Sequence, residues 1–198
     1  MGLDFVSTNG QTSPDEDEKE GLLIKIITTQ SELNEFEQQN IEKAMLWLKS
    51  KKVNAREILS EKFVKDLHRR MYAGVWKWAG EFRRTDKNLG ISKCDISTAL
   101  KQLVDDSLYW IQHNSFPEEE IAIRFKHLIV QIHCFANGNG RHSRLMADVM
   151  MEKIFHLSPF TWGAANLIKQ GDSRSAYIKA LKKADVGDYS DLLAFAKS

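Results

Sequence analysis

The sequence is poor in residues that interrupt helices, with three prolines and eleven glycines among 198 residues. Cys94 and Cys134 are the complete set of cysteines, and they form neither a CxxC pair nor a disulfide framework. This pattern favours a reducing compartment and predicts a cytoplasmic protein. No apolar run is long enough to cross a bilayer. The formal net charge of +1 excludes an overall electrostatic attraction to nucleic acid or to a membrane surface.

The order of polar and apolar residues divides the chain into three parts. Residues 1–20 are polar and end in an acidic run, which predicts a flexible leader. Residues 21–54 are predicted to form an N-terminal helical segment, with a helix over 28–50 and Ser31 as its N-cap. Residues 55–198 form the remaining domain, and this length is enough for one sizeable hydrophobic core.

Helical periodicity dominates the third part. Ser60 is predicted to cap its first helix, whose apolar residues recur at helical spacing. Turn residues between β-tolerant ones predict a short β-hairpin flap over 82–92. Further helices are predicted over 96–113, 117–135, 141–155, 164–169 and 173–184, and from 189 onward. The fold class is therefore mainly α, a helical bundle with one short β-hairpin flap.

Residues 133–144 carry the chemistry, and they read His-Cys-Phe-Ala-Asn-Gly-Asn-Gly-Arg-His-Ser-Arg. A helix ending at His133 is followed by a tight glycine loop and a new helix. Loop N–H groups and a helix N-terminus together suit a phosphate. Arg141 and Arg144 add forked donors, and a histidine beside a phosphate site suits a general base. Each signal alone is weak, since a histidine at a helix end is usually a cap and such loops are usually turns.

Taken together, these residues resemble the Fic signature His-x-Phe-x-(Asp/Glu)-Gly-Asn-Gly-Arg-x-x-Arg. Asn137 is the one departure, because it stands where the family has a carboxylate. The stretches 78–83 and 174–188 also resemble the family, so the similarity covers 55–198. The full chain looks like the bacterial subgroup called mobile mystery protein B, which is associated with a small helix-turn-helix partner.

The resemblance implies a Fic-type bundle that transfers AMP from ATP to a Ser, Thr or Tyr hydroxyl of a target protein. His133 would be the catalytic base, and Asn137 would be a weakened ligand for nucleotide-bound Mg²⁺. Asn139 is also expected to fix the loop, and Phe135 to pack in the core. The expected nucleotide-binding residues are Gly138, Asn139, Gly140, Arg141 and Arg144.

The resemblance also implies self-inhibition by a glutamate that pairs with Arg144. The spacing of Ser31 and Glu35 fits the family's inhibitory pattern, although Phe36 departs from it, and Glu37 is the other candidate. An ordinary amphipathic helix with solvated glutamates is the competing interpretation.

Other functions remain open at this stage. One is a phosphotransferase of the same fold, whose branch carries Lys at the position of Gly140. Removal of AMP is another. The third is a non-catalytic nucleotide-binding module that acts through a partner protein. Outside the signature, His127 is assigned a core or surface role, His142 is expected to be exposed and the tryptophans are expected in the core.

Overall fold

The computed structural model describes residues 19–163 and 170–198, with side chains from 175 onward in the second range. The predicted leader up to residue 18 and the predicted helix over 164–169 lie outside the described residues. The described α-helices are α1 (Gln30–Ser50), α2 (Ala55–Ile58), α3 (Glu61–Tyr72), α4 (Ile96–Gln112), α5 (Glu118–Ile132), α6 (Asn139–Val149), α7 (Gln170–Ala184) and α8 (Ser190–Lys197). A 3₁₀ turn, Lys93–Asp95, precedes α4, and a π-helical turn, Met150–Ile154, follows α6.

Local capping sets where the first helices begin. Thr29, not Ser31, is the N-cap of α1, so that prediction is wrong. The Thr29 hydroxyl accepts the Glu32 N–H at 3.2 Å, and the Glu32 carboxylate accepts the Thr29 N–H at 3.0 Å. This reciprocal capping box requires Glu or Gln three residues after the cap, and Ser31 has Asn34 there. Ser60 is confirmed as the N-cap of α3, where its hydroxyl accepts the Phe63 N–H at 3.1 Å.

Helix α5 lies at the centre of the bundle, where it packs against α4, α6 and α8, while α1 packs against α3. One large apolar cluster joins α1 to α6, and a smaller one joins Ile123 of α5 to α7 and α8. The chain before α1 is tied to the segment that follows α3 by one antiparallel bridge, between Leu22 and Trp76. The bundle thereby brings the C-terminal end of α5 and the first turn of α6 beside α1 and α3.

The flap, residues 82–92, contains no β-strand in the structure, so the predicted hairpin is not supported. Side chains bind the backbone groups that would otherwise form a ladder. The Arg83 guanidinium donates to the carbonyl oxygens of Thr85 and Ile91. The Asp86 carboxylate accepts the Lys93 N–H at 2.7 Å. Among the described residues, no helix is both long and apolar enough to cross a bilayer.

Candidate active site

His133 ends α5 in the left-handed conformation, with φ of 57°. Its N–H still donates to the Ile129 carbonyl at 3.2 Å, and the residue is only 9% exposed. Burial lowers the pKa of the imidazole to about 4, and the positive charges of Arg83 and Lys87 act in the same direction. The ring is therefore neutral at physiological pH, and a neutral imidazole has one nitrogen that can accept a proton.

The loop after His133 is held by Asn139, the first residue of α6. The Asn139 Oδ1 accepts the Phe135 N–H at 2.9 Å, and the Nδ2 donates to the Phe135 carbonyl at 2.7 Å. The predicted core position of Phe135 is confirmed, because the residue is fully buried. One amide side chain thus satisfies both backbone groups of a buried residue, which gives the loop a single conformation.

His68 of α3 also supports the loop, although nothing in the signature pointed to it. Its ring stacks on Phe135 with centroids 3.7 Å apart. Its Nδ1 accepts the Gly80 N–H at 2.9 Å, so Nε2 carries the proton and donates to the Asn137 carbonyl at 3.0 Å. Burial lowers the pKa of His68 well below its ordinary value, which keeps the ring neutral. The signal in the sequence was its place next to Leu67 in the buried stripe of α3.

Gly138 allows the loop to approach α3 closely. Its φ is +78°, and a Cβ there would lie 2.5 Å from the ring of Tyr72. Gly140 differs, because a Cβ there would meet no described atom within 4 Å. The Arg141 guanidinium lies 5.2 Å from the Tyr72 ring centroid, so the same tyrosine contacts both the loop and the first arginine.

Arg141 is paired with Glu37 of α1. Its Nη2 donates to the Glu37 Oε2 at 2.6 Å, and the indole N–H of Trp76 donates to Oε1 at 2.6 Å. The expectation that an α1 glutamate meets Arg144 is therefore wrong. Glu35, the other inhibitory candidate, is exposed on the same helix. An open groove of about 500 Å³ lies between α1 and α6, lined by Ser31, Asn34, Glu35, Gln38, Gln39 and Arg141.

Arg144 points to a different neighbourhood, although it follows Arg141 by one helical turn. Its guanidinium lies 4.6 Å from the ring centroid of Tyr177 and 5.8 Å from that of Trp162. Its Nε is buried and meets no hydrogen-bond acceptor among the described residues. The fully buried Lys126 also donates to the Tyr177 hydroxyl, and burial lowers the pKa of the Lys126 ammonium well below its ordinary value. Partly buried aromatic rings thus contact the second arginine.

Two further histidines, His142 and His127, stabilise the bundle around the site. His142 was expected to be exposed, and this is wrong: it is 1% exposed, and its Nε2 lies 3.0 Å from the Val64 carbonyl. Burial lowers its pKa to about 4. His127 is also buried, and its Nε2 lies 2.8 Å from the carboxylate of Asp185 in the turn after α7. Helix α6 is thereby fixed to α3, and α5 to the end of α7.

The protein offers few oxygen ligands for a metal at this site. In the part of the chain that the structure describes, no group of three or more His, Cys, Asp or Glu side chains could hold a metal ion. The Asn137 Oδ1 accepts the N–H of the next residue, Gly138, at 2.6 Å. An amide oxygen can ligate Mg²⁺, so Asn137 would supply one ligand to an ion bound at this loop.

Comparison with known proteins identifies the scaffold. Residues 58–151 match the model of the Fic/DOC family. This segment is therefore similar to the Fic/DOC family. A relative is the protein adenylyltransferase Fic of Drosophila grimshawi, which is 30% identical over 156 residues, covering 77% of this chain and 30% of that protein. The chain thus spans less than a third of the length of this curated relative.

Solved structures show the same Fic fold. The N-terminal FIC domain of a VirB-translocated effector from Bartonella sp. 1-1C has a TM-score of 0.66 at 14% identity, covering 87% of this chain and 88% of that one. BepC from Bartonella tribocorum, solved with bound AMPPNP, has a TM-score of 0.62 at 16% identity, covering 86% and 87%. At these identities the likeness concerns the fold alone.

Proposed function

We propose that this protein is a protein adenylyltransferase, which transfers AMP from ATP to a Ser, Thr or Tyr hydroxyl of a target protein. The observation that carries the proposal is His133. It is a neutral, largely buried imidazole next to a loop whose N–H groups and arginines suit phosphates. The name of the insect relative, protein adenylyltransferase Fic, supports the same reaction.

In this mechanism His133 is the general base. A ring N–H hydrogen bond to the Val130 carbonyl opposes the fall in its pKa, and this bond assigns the proton to one nitrogen. The other nitrogen then takes the proton of the target hydroxyl. The hydroxyl oxygen forms a bond to the α-phosphorus of ATP, the bond from that phosphorus to the bridging oxygen breaks, and pyrophosphate leaves.

The remaining site residues bind and orient the nucleotide. The N–H groups of 138–140 and the Arg141 side chain hold the α- and β-phosphates, and Arg144 holds the γ-phosphate. A Cβ at Gly140 would meet no described atom within 4 Å, so there is room for phosphate oxygens beside this residue. Mg²⁺ bound with ATP would neutralise phosphate charge, and the amide oxygen of Asn137 would be a ligand to it from this chain.

We further propose that the chain inhibits itself through Glu37. The carboxylate occupies donors of Arg141 that a phosphate would need, so ATP has to displace a partly buried ion pair. This keeps the inhibitory role expected from the sequence and moves it from Arg144 to Arg141. Glu35 is exposed and is the weaker candidate. The proposal also includes recognition of the target at the flap, a small helix-turn-helix partner and a cytoplasmic location.

The test is the transfer of label from ATP to protein. The Glu37→Gln protein is incubated with a bacterial lysate and either α-labelled or γ-labelled ATP, so that inhibition by Glu37 does not mask activity. We expect protein label from α-labelled ATP alone, and its loss in the added substitution His133→Ala. His113→Ala, at the exposed end of α4, is the matched control. Label from γ-labelled ATP alone would select a phosphotransferase, and ATP binding without label would select the nucleotide-binding module.

A further inference from the structure

Arg83 is a buried charge at the base of the flap, and the proposed mechanism assigns it no task. Its side chain is 0% exposed. Burying a guanidinium is unfavourable unless its donors are satisfied, so the acceptors around it show what the residue is for. Arg84, the next residue, has a side chain that is 86% exposed and pairs with Glu81.

The acceptors of Arg83 come from both ends of the flap and from the end of α5. Its Nε donates to the His133 carbonyl at 2.7 Å. Its Nη1 donates to the Thr85 carbonyl at 2.8 Å, and its Nη2 donates to the Ile91 carbonyl. Its own N–H donates to the Cys134 carbonyl at 2.9 Å. One rigid fork thus joins the residue proposed as the base to the start and the finish of the flap.

The same contact explains how His133 keeps its backbone conformation. A left-handed φ of 57° is uncommon for a residue other than glycine, and it persists when its surroundings fix it. Here the Arg83 Nε holds the carbonyl of that residue from within the core. Without this donor, the carbonyl at the C-terminal end of α5 would lose its charged partner.

The flap also lies directly against His133. Gly90 has a φ of +98°, and a Cβ there would lie 2.5 Å from the His133 Cβ and 3.1 Å from the Arg83 Nη2. Any displacement of this part of the flap therefore changes the space around the imidazole. The arrangement ties a surface that is exposed at Leu89 to a residue that is only 9% exposed.

We propose that Arg83 is a positioning residue, which holds the flap and the His133 backbone as one unit so that a hydroxyl presented at the flap meets the imidazole. The inference rests on the proposed transfer reaction for its catalytic consequence. Its structural part, the coupling of the flap to His133, stands on the contacts of Arg83 alone. Displacing reacting groups by about 1 Å costs on the order of a hundredfold in rate.

The experiment compares Arg83→Gln, Arg83→Lys and the control Arg84→Gln, each in the Glu37→Gln protein. Hydrogen exchange is followed at the backbone amides of positions 83 and 93, and the His133 ring signals are followed by NMR. Affinity for ATP and the rate of label transfer from α-labelled ATP are measured separately. We expect Arg83→Gln to raise exchange at both amides about tenfold, to shift the His133 signals and to lower transfer about a hundredfold, with ATP affinity within twofold.

The conservative variant separates charge from geometry. Arg83→Lys keeps the charge and lacks the fork, so we expect it to recover only part of the protection and of the transfer rate. Arg84→Gln should match its parent in every measurement. Full transfer activity in Arg83→Lys would overturn the proposal, because the fork would then be dispensable. This comparison still tests the proposal if Arg83→Gln does not fold.

Two further outcomes separate this inference from the proposed function. If Arg83→Gln lowers ATP affinity and transfer by the same factor, or leaves flap exchange and the His133 signals unchanged, the residue has no positioning role. If the parent protein transfers no label, but both NMR and exchange respond to Arg83→Gln, the transferase proposal fails. The coupling of the flap to His133 is then supported without it.

Discussion

The pair between Glu37 and Arg141 leads to a prediction in which stability and ligand affinity change in opposite directions. The perturbation is Glu37→Gln, which removes the charge and keeps the shape. The new amide oxygen can still accept the Trp76 indole N–H, which in the wild type lies 2.6 Å from the Glu37 carboxylate. The charge-assisted bond to Arg141 is the interaction that is lost.

The expected loss of stability follows from the burial of the two partners. Breaking a fully buried ion pair costs about 3–5 kcal/mol, because a charge is left without a partner. The Arg141 side chain is 40% exposed, against 2% for Glu37, so water can hydrate the released guanidinium. We therefore expect the free energy of unfolding to fall by about 1–2 kcal/mol, which is below the cost of breaking a fully buried pair and near the lower end of what a hydrogen bond to a charged group contributes.

The expected gain in ATP affinity comes from the same guanidinium. Under the proposed inhibition, a phosphate must displace the Glu37 carboxylate in the wild type, whereas in Glu37→Gln the Arg141 donors are available to it. If the gain equals the 1–2 kcal/mol lost from folding, ATP binds about 5- to 30-fold more tightly, since 1.4 kcal/mol is a factor of ten. Self-labelling should rise with it under the proposed function.

Urea unfolding and isothermal titration with ATP measure the two quantities. Glu35→Gln is the matched control, because it makes the same chemical change on an exposed residue of the same helix. We expect no effect above about 0.5 kcal/mol from the control, as is usual for surface substitutions. A Glu37→Gln protein that loses stability and binds ATP no better than the wild type would refute the inhibitory role. The pair would then be structural only.

Two other substitutions test the site and its supports. Asn137→Asp should strengthen Mg²⁺-dependent ATP binding and raise the transfer rate. A carboxylate oxygen can accept the Gly138 N–H as the amide oxygen does, and it adds negative charge that favours the metal ion. Lower activity at every Mg²⁺ concentration would show that Asn137 is adapted to its position. His142→Gln should reduce the acid sensitivity of folding. Its pKa of about 4 lies below the usual value near 6.5, so the wild type loses stability as pH falls through this window, by about 2 kcal/mol between pH 7 and pH 5. Urea unfolding at both pH values measures the change, and an equal loss in His142→Gln and the exposed control His113→Gln would contradict it.

Local signals in the sequence predicted most of the helices. The helix predicted over 96–113 is observed as Ile96–Gln112, and the helix predicted over 28–50 is observed as Gln30–Ser50. In both, an apolar stripe at helical spacing continues to the end of the element. The loop after His133 was also predictable, because glycine and asparagine there exclude a continuous helix.

Contacts between distant segments could not be predicted in this way. The flap lacks strands because Arg83 and Asp86 bind its backbone groups, and neither bond is visible in an alternating pattern. His142 is buried because the Val64 carbonyl of a different helix accepts its N–H. A residue between two motif arginines looks exposed when only its polarity is considered.

The choice between Glu35 and Glu37 shows where the physics of burial discriminates better than a spacing rule. Leu33, Glu37 and Ile41 follow one another at intervals of four, so they share one face of α1, and all three are buried. Glu35 lies two residues from Glu37 and faces away from this stripe. A carboxylate within an apolar stripe requires donors from elsewhere in the fold, because burying an unpaired charge is unfavourable. The place of Glu37 in the stripe therefore indicates a cationic partner, and the guanidinium of Arg141 meets that requirement together with the indole of Trp76.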